Sequence, residues 1–190
     1  MNSETRSYEE YTDEVLKELR ATLASVDPEK LKELIDLICS ADKVFFVGVG
    51  RVMLSLQAIT KRLAHLGIDA HYVGEITEPA IGKDDLLIVG SGSGESLFPV
   101  GIAKKAKSFG ATIVHIGSNP KGSMAQYADL MVRLPVRTKL NLPGEIDSMQ
   151  PMTSLFEQSL LLLGDIIAGL IIQQKGLDLK SLWQYHANLE

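Results

Sequence analysis

The stretch most suited to chemistry is Ser91-Gly92-Ser93-Gly94-Glu95-Ser96, which directly follows the apolar run Leu86-Leu87-Ile88-Val89-Gly90. Ser91, Ser93 and Ser96 bring three hydroxyl donors into one turn. Gly92 and Gly94 let the main chain approach a ligand closely and take dihedrals closed to other residues. If a helix opens here, its first N–H groups and the positive end of its dipole reinforce the hydroxyls. That combination suits a dianion, a phosphate above all. The plainer reading of Gly/Ser alternation is a flexible loop with a serine N-cap; the strand–turn–helix setting favours the phosphate. The turn is not a Walker loop, because no Gly-Lys-Ser/Thr follows it. A second turn, Gly48-Val49-Gly50-Arg51, begins like a dinucleotide fingerprint but lacks its third glycine, so no nicotinamide cofactor is expected.

Other residues stand out singly. Glu157 lies among Leu155, Phe156 and Leu160 on an apolar helical stretch. Partial desolvation there would raise its proton affinity toward that of a general base; the alternative is a helix-start acid favoured by the dipole. Arg51, at the end of a strand candidate, offers a cation for a phosphate or an enediolate, or an ion-pair partner for Glu75 or Glu78. His65, His71 and His115 have no ligand-like spacing with one another or with acids. They read as packing or surface residues, and no metal site is expected. His186, near the end of the chain, reads on residues alone as a solvated tail side chain.

The elements that must position these groups alternate along the chain. Two amphipathic helices, from Tyr8 to Val26 and from Pro28 to about Cys39, come first, with Asp27 as N-cap of the second. Strands are expected at 43–47, 70–73, 86–89, 112–116 and 130–132, with helices after the first, third and last. Continuous apolar runs, not alternating ones, indicate strands covered on both faces, hence a parallel sheet between helical layers. Pro135–Gln150 reads as a long loop that either orders over a substrate or simply connects. After Pro151 an apolar helix runs to about Lys175, and a short helix closes the chain. The whole of 1–190 is expected to form one domain.

Composition fits that reading. Net charge is −5 over 190 residues, which argues against a nucleic-acid partner. No signal-like segment opens the chain, and Leu160–Ile172 is interrupted by Gly164, Asp165 and Gly169, so no membrane span is expected. A lone cysteine, Cys39, suits the reducing cytoplasm.

Ser91–Ser96 resembles the Ser-x-Ser-Gly-Glu-Ser/Thr motif of the sugar isomerase (SIS) fold. Gly48–Arg51, Arg62–Gly67, Val73-Gly74-Glu75, Gln150–Gln158 and the ending His186-Ala187-Asn188-Leu189-Glu190 are similar to the 6-phospho-3-hexuloisomerases of the ribulose monophosphate pathway. The resemblance implies a flavodoxin-like αβα sandwich with a mainly five-stranded parallel sheet. It also implies an isomerase that interconverts D-arabino-3-hexulose 6-phosphate and fructose 6-phosphate through an enediolate. A phosphorylated ketohexose would be the ligand, no metal or redox cofactor would take part, and the assembly would be a homotetramer.

Gly50 and Arg51 are read from the residues as substrate-binding, and Glu75 as contacting sugar hydroxyls or orienting Arg51. By the resemblance, Ser91, Ser93 and Ser96 hold the phosphate, in the turn that Gly92 and Gly94 open. Glu157 is the catalytic base, and His186 lies near the sugar, lent by a neighbouring subunit. One departure is plain. Those isomerases read Gly-x-Gly-Arg-Ser-Gly in the first turn, and this chain has Arg51-Val52-Met53, with no hydroxyl at Val52 and added bulk at Met53. Ser55, one turn on, is a candidate substitute donor. A non-catalytic sugar-phosphate sensor and an isomerase of another phosphosugar therefore stay open as alternatives.

Overall fold

A computed structural model describes residues 6–189. The polar Met1–Thr5 segment and Glu190, the last residue of the His186–Glu190 ending, lie outside the described residues. Five strands form one parallel sheet: β1 (Val44–Val47), β2 (Ala70–Tyr72), β3 (Leu86–Gly90), β4 (Thr112–Gly117) and β5 (Leu130–Arg133). Their order is β2-β1-β3-β4-β5. After β1 the chain builds outward to β2, then crosses back to β3 and builds the other way, so the direction reverses between β1 and β3. In open α/β sheets ligands bind outside the carboxyl ends of the strands at such a reversal.

Both faces of the sheet are covered, as the continuous apolar runs required. Alternate residues point to opposite faces: Val44, Phe46, Leu86, Ile88, Val114 and Ile116 join the core beneath α2 (Pro28–Ser40), α3 (Gly50–Ala64) and α5 (Ser154–Lys175). Phe45, Val47, Leu87, Val89 and Ile113 face α4 (Leu97–Ser108) and Met124. The first helix, α1 (Tyr8–Ala24), starts at a Ser7–Glu10 capping box and lies on α5. Asp27 caps α2 through the amides of Glu29 and Lys30, as its place before Pro28 predicts.

Three features differ from expectation. A short 3-10 turn, Ser123–Gln126, precedes β5 where no element was read. The C-terminal helix is a 3-10 turn too, Ser181–Tyr185. At 22 residues α5 is long and apolar enough to cross a membrane by length and composition, contrary to the reading of its interrupted run. Here Leu155, Phe156, Leu160, Leu163, Ile167 and Ile171 are buried in the core beside the sheet. Gly164, which seemed only an interruption, is where α3 comes closest: a Cβ there would collide with the Ile59 side chain.

Candidate active site

Three segments converge at the carboxyl ends of β1 and β3. The first is the turn after β1. Gly50 has φ +57°, a left-handed conformation that an L side chain strains to adopt, and it starts α3 with Arg51 in the helix's first turn. The second is the serine turn after β3. The third is the start of α5, where the Phe156 ring and Thr138 flank Gly92: a Cβ on Gly92 would lie 3.5 Å from Thr138 Cγ2 and 3.8 Å from Phe156.

Within the serine turn the hydrogen bonds have a consistent direction. Ser91 Oγ accepts from the Gly94 N–H at 3.2 Å, and Ser93 Oγ from the Glu95 N–H at 3.3 Å. The Ser93 hydroxyl thereby keeps its proton for a ligand, while the Ser91 hydroxyl points to Ser96 Oγ. Ser96 is the N-cap residue of α4, yet its side chain makes no capping bond and lies 3.5 Å from Ser91 Oγ. The first amides of α4 are thus left to an anion. Glu95 is the turn's one acid, and its carboxylate is turned onto Ser123, accepting from the N–H at 2.8 Å and the hydroxyl at 2.6 Å. Those two bonds hold it below its ordinary value.

Glu157 is buried in the first turn of α5. Its apolar neighbours are as expected, but both carboxylate oxygens also have polar partners: Oε1 accepts from Thr153 Oγ1 at 2.8 Å, and Oε2 from Arg51 Nε. Arg51 therefore pairs with Glu157, and neither Glu75 nor Glu78 is its partner. The Arg51 side chain is 66% exposed, against 8% for that of Glu157. Glu75 is engaged elsewhere, accepting from His71 Nδ1 at 2.5 Å, while His71 Nε2 reaches Asp69 at 2.9 Å. His71, read as a packing or surface residue, thus bridges two acids. Glu78 accepts the Gly74 N–H at 2.8 Å.

The first-turn departure also looks different in three dimensions. Val52 fills the floor between Gly48 and Gly90, and Met53 packs on the core rather than standing at the mouth. Ser55 is no substitute donor, because its hydroxyl is spent on the Glu157 carbonyl at 3.0 Å and ties α3 to α5. His186 is not brought to Glu157 within one chain. It stacks on His65, ring centroids 5.0 Å apart, just past the far end of α3. With 15 residues between the two ends of α3, the separation is about 20 Å at the helical rise.

Sequence reasoning missed the residues behind the site. Pro135–Gln150 is not a slack connection, because two carboxylates pin it. Glu145 accepts from the Thr138 and Leu142 amides and from the Ser118 and Thr138 hydroxyls, at 2.8–3.1 Å. Glu18, buried on α1, accepts from Ser148 Oγ, Met149 N–H and Gln150 Nε2 at 2.7–3.0 Å. Burial pushes both carboxyls up, but these hydrogen bonds outweigh it and hold them below their ordinary value of 4.5. Nothing local in the sequence marks Glu18, whose partners lie 130–132 residues away.

The SIS domain family model matches residues 37–162, which take in both turns and the start of α5. The chain belongs to the SIS domain family. The 3-hexulose-6-phosphate isomerase of Bacillus subtilis (strain 168) is 40% identical over 181 residues, 95% of this chain and 98% of that one. The protein of the same name from Mycobacterium gastri is 38% identical over 176 residues, 93% and 88% of the two chains. Among solved structures, the hypothetical protein MJ1247 from Methanococcus jannaschii superposes with a TM-score of 0.82 at 34% identity, covering 94% of this chain and 98% of that one. A molecular function of 3-hexulose-6-phosphate isomerase has been inferred for it. Among the described residues no group of three or more His, Cys, Asp or Glu is placed to hold a metal.

Proposed function

We propose that this member of the SIS family is a sugar-phosphate isomerase that interconverts D-arabino-3-hexulose 6-phosphate and fructose 6-phosphate. The observation that carries the reading is the convergence of a buried carboxylate, Glu157, and a hydroxyl- and amide-rich turn, Ser91–Ser96, at the reversal point of the sheet. It is the activity for which the Bacillus subtilis and Mycobacterium gastri relatives are named.

In this reading the phosphate sits on Ser91, Ser93, Ser96 and the first amides of α4, and the sugar chain extends toward Glu157. Glu157 takes the proton from C2 of the 3-ketose. The C–H electron pair becomes the C2=C3 double bond, and the C3 carbonyl oxygen takes the negative charge of the enediolate. Moving the O2 proton to O3, and returning a proton from Glu157 to C3, leaves the ketone at C2 and a hydroxyl at C3. Arg51, already against the carboxylate and open to solvent on its other side, supplies positive charge to the enediolate. Gly50 gives the backbone room there, while Glu75 acts through His71 on the edge of the pocket. His186 of a neighbouring subunit in a homotetramer completes the site, and the setting is the cytoplasm.

A second reading, a non-catalytic sugar-phosphate binder, draws on Val52, which offers no donor where these isomerases carry a hydroxyl. One experiment separates the two. In a coupled assay of fructose 6-phosphate formation, the wild type turns over and Glu157→Gln loses about a thousandfold in kcat. Absence of turnover in a folded protein whose Tm still rises with fructose 6-phosphate would replace the isomerase by the binder.

A further inference from the structure

The serine turn is held from behind to an unusual extent. Each of its first four carbonyls is taken by a donor from the segment that begins with β4. The Ser91 oxygen accepts from His115 Nε2 at 2.8 Å, besides the turn's own Gly94 N–H at 3.2 Å, and the Gly92 oxygen from the amides of Ser118 and Asn119 at 2.9 and 3.1 Å. Asn119 Nδ2 bonds the Ser93 oxygen at 3.1 Å, and the Met124 N–H the Gly94 oxygen at 3.0 Å. None of these four partial negative charges is left for an incoming anion to meet. Of the five bonds from that segment only the one from His115 comes from a titratable ring, and that residue is 1% exposed.

His115 occupies a space made for it. It shares a strand face with Gly117, since residues two apart point the same way. A Cβ on Gly117 would fall on His115 Nε2 and on the Ser91 carbonyl oxygen together. A Cβ on Gly94, itself at φ +67°, would come within 3.3 Å of His115 Cε1. Burial holds the imidazole below its ordinary value, against the opposing pull of the Ser91 carbonyl, so the ring is uncharged near neutrality. An uncharged imidazole has one N–H, and a carbonyl only accepts, so the proton is on Nε2.

We propose that His115 is the positioning residue of the phosphate turn, its Nε2–H fixing the Ser91 carbonyl so that the turn presents hydroxyls and amides to the ligand. The inference rests on reading Ser91–Ser96 as the phosphate site. His115 touches no substrate; it acts through Ser91. Its removal therefore weakens phosphate binding more than the proton transfer at Glu157.

Two measurements test this. Fructose 6-phosphate and inorganic phosphate are titrated calorimetrically into the wild type, His115→Leu and His115→Gln, with kcat and KM from the coupled assay. Expected are a Kd and KM raised about tenfold in His115→Leu with kcat changed less than about threefold, and near wild-type values in His115→Gln, whose side-chain amide replaces the Nε2–H. A folded His115→Leu that binds as the wild type does, or a His115→Gln that loses as much as His115→Leu, overturns the proposal. Independently of any variant, imidazole ¹⁵N spectra of the wild type at pH 7 should show the Nε2–H tautomer for His115; an Nδ1–H or charged ring overturns it. A wild type that binds neither fructose 6-phosphate nor phosphate, yet shows that tautomer, refutes the phosphate site itself and with it the ligand role of His115, while leaving the bond to Ser91 established.

Discussion

Ser96 separates two duties that a serine at this place in a chain usually combines. As an N-cap residue it would ordinarily contribute about 1 kcal/mol through a bond to its own helix. Here that bond is not made, and the hydroxyl stays beside Ser91. Ser96→Ala should accordingly cost less than about 0.5 kcal/mol by denaturant unfolding, well under the usual loss on removing a cap. Its KM for the ketose phosphate should nevertheless rise several-fold. A large loss of stability with unchanged KM would return Ser96 to a structural role. At this scale the sequence was informative where a residue's chemistry depends on near neighbours. Ser91, Ser93 and Ser96 stood out as candidates because hydroxyls and glycines in one turn are read locally, whereas Glu157 was singled out by the family resemblance. The partner of Arg51 was not legible, because it lies 106 residues along the chain, and neither was His115, whose proposed role depends on a glycine on its own face and a carbonyl in the turn after the neighbouring strand.

Among the elements, the parallel strands and the helices between them followed from apolar runs and caps, and their bounds agree with the sequence to within a few residues. The segment Pro135–Gln150 did not yield to the same logic, since it has no period to read and owes its shape to Glu18 and Glu145. Both carboxyls sit below 4.5 in the folded protein. A depressed carboxyl binds fewer protons folded than unfolded, so it contributes stability that is fully present above pH about 4.5 and is lost as pH falls through the folded values. The double variant Glu18→Gln, Glu145→Gln should therefore lose less Tm than the wild type between pH 4.5 and 3. Parallel curves for the two proteins would mean that other carboxylates set the acid limb. Because Glu18 holds Ser148–Gln150, just ahead of Thr153 and Glu157, Glu18→Gln alone should also lower kcat at pH 7 with the fold intact by circular dichroism.

For the molecule as a whole, the unresolved tension of the single chain is His186, stacked at one end of α3 while Glu157 lies at the other. On α5, Leu162, Ile166 and Leu170 form an exposed stripe at helical spacing, and Trp183 is exposed nearby in sequence to His186. These are the surfaces through which copies would meet in the proposed homotetramer. If sites are completed between subunits, mixing Glu157→Gln with His186→Gln after mild dissociation should restore part of the activity that each lacks alone. No recovery from a mixture shown to contain hybrid oligomers would confine the site to one chain. Light scattering that finds a monomer at assay concentration would remove both the assembly and the shared site.

The hydrogen bonds of Glu18 have a consequence in time. The groups that satisfy the buried carboxylate of α1 are synthesised 130–132 residues after it. Until Ser148, Met149 and Gln150 emerge, seating α1 in its final place would bury a charge with nothing to answer it. The sheet from β1 through β5 is complete in sequence before that segment, so α1 gains the partners of its buried carboxylate only after the sheet's last strand has been made.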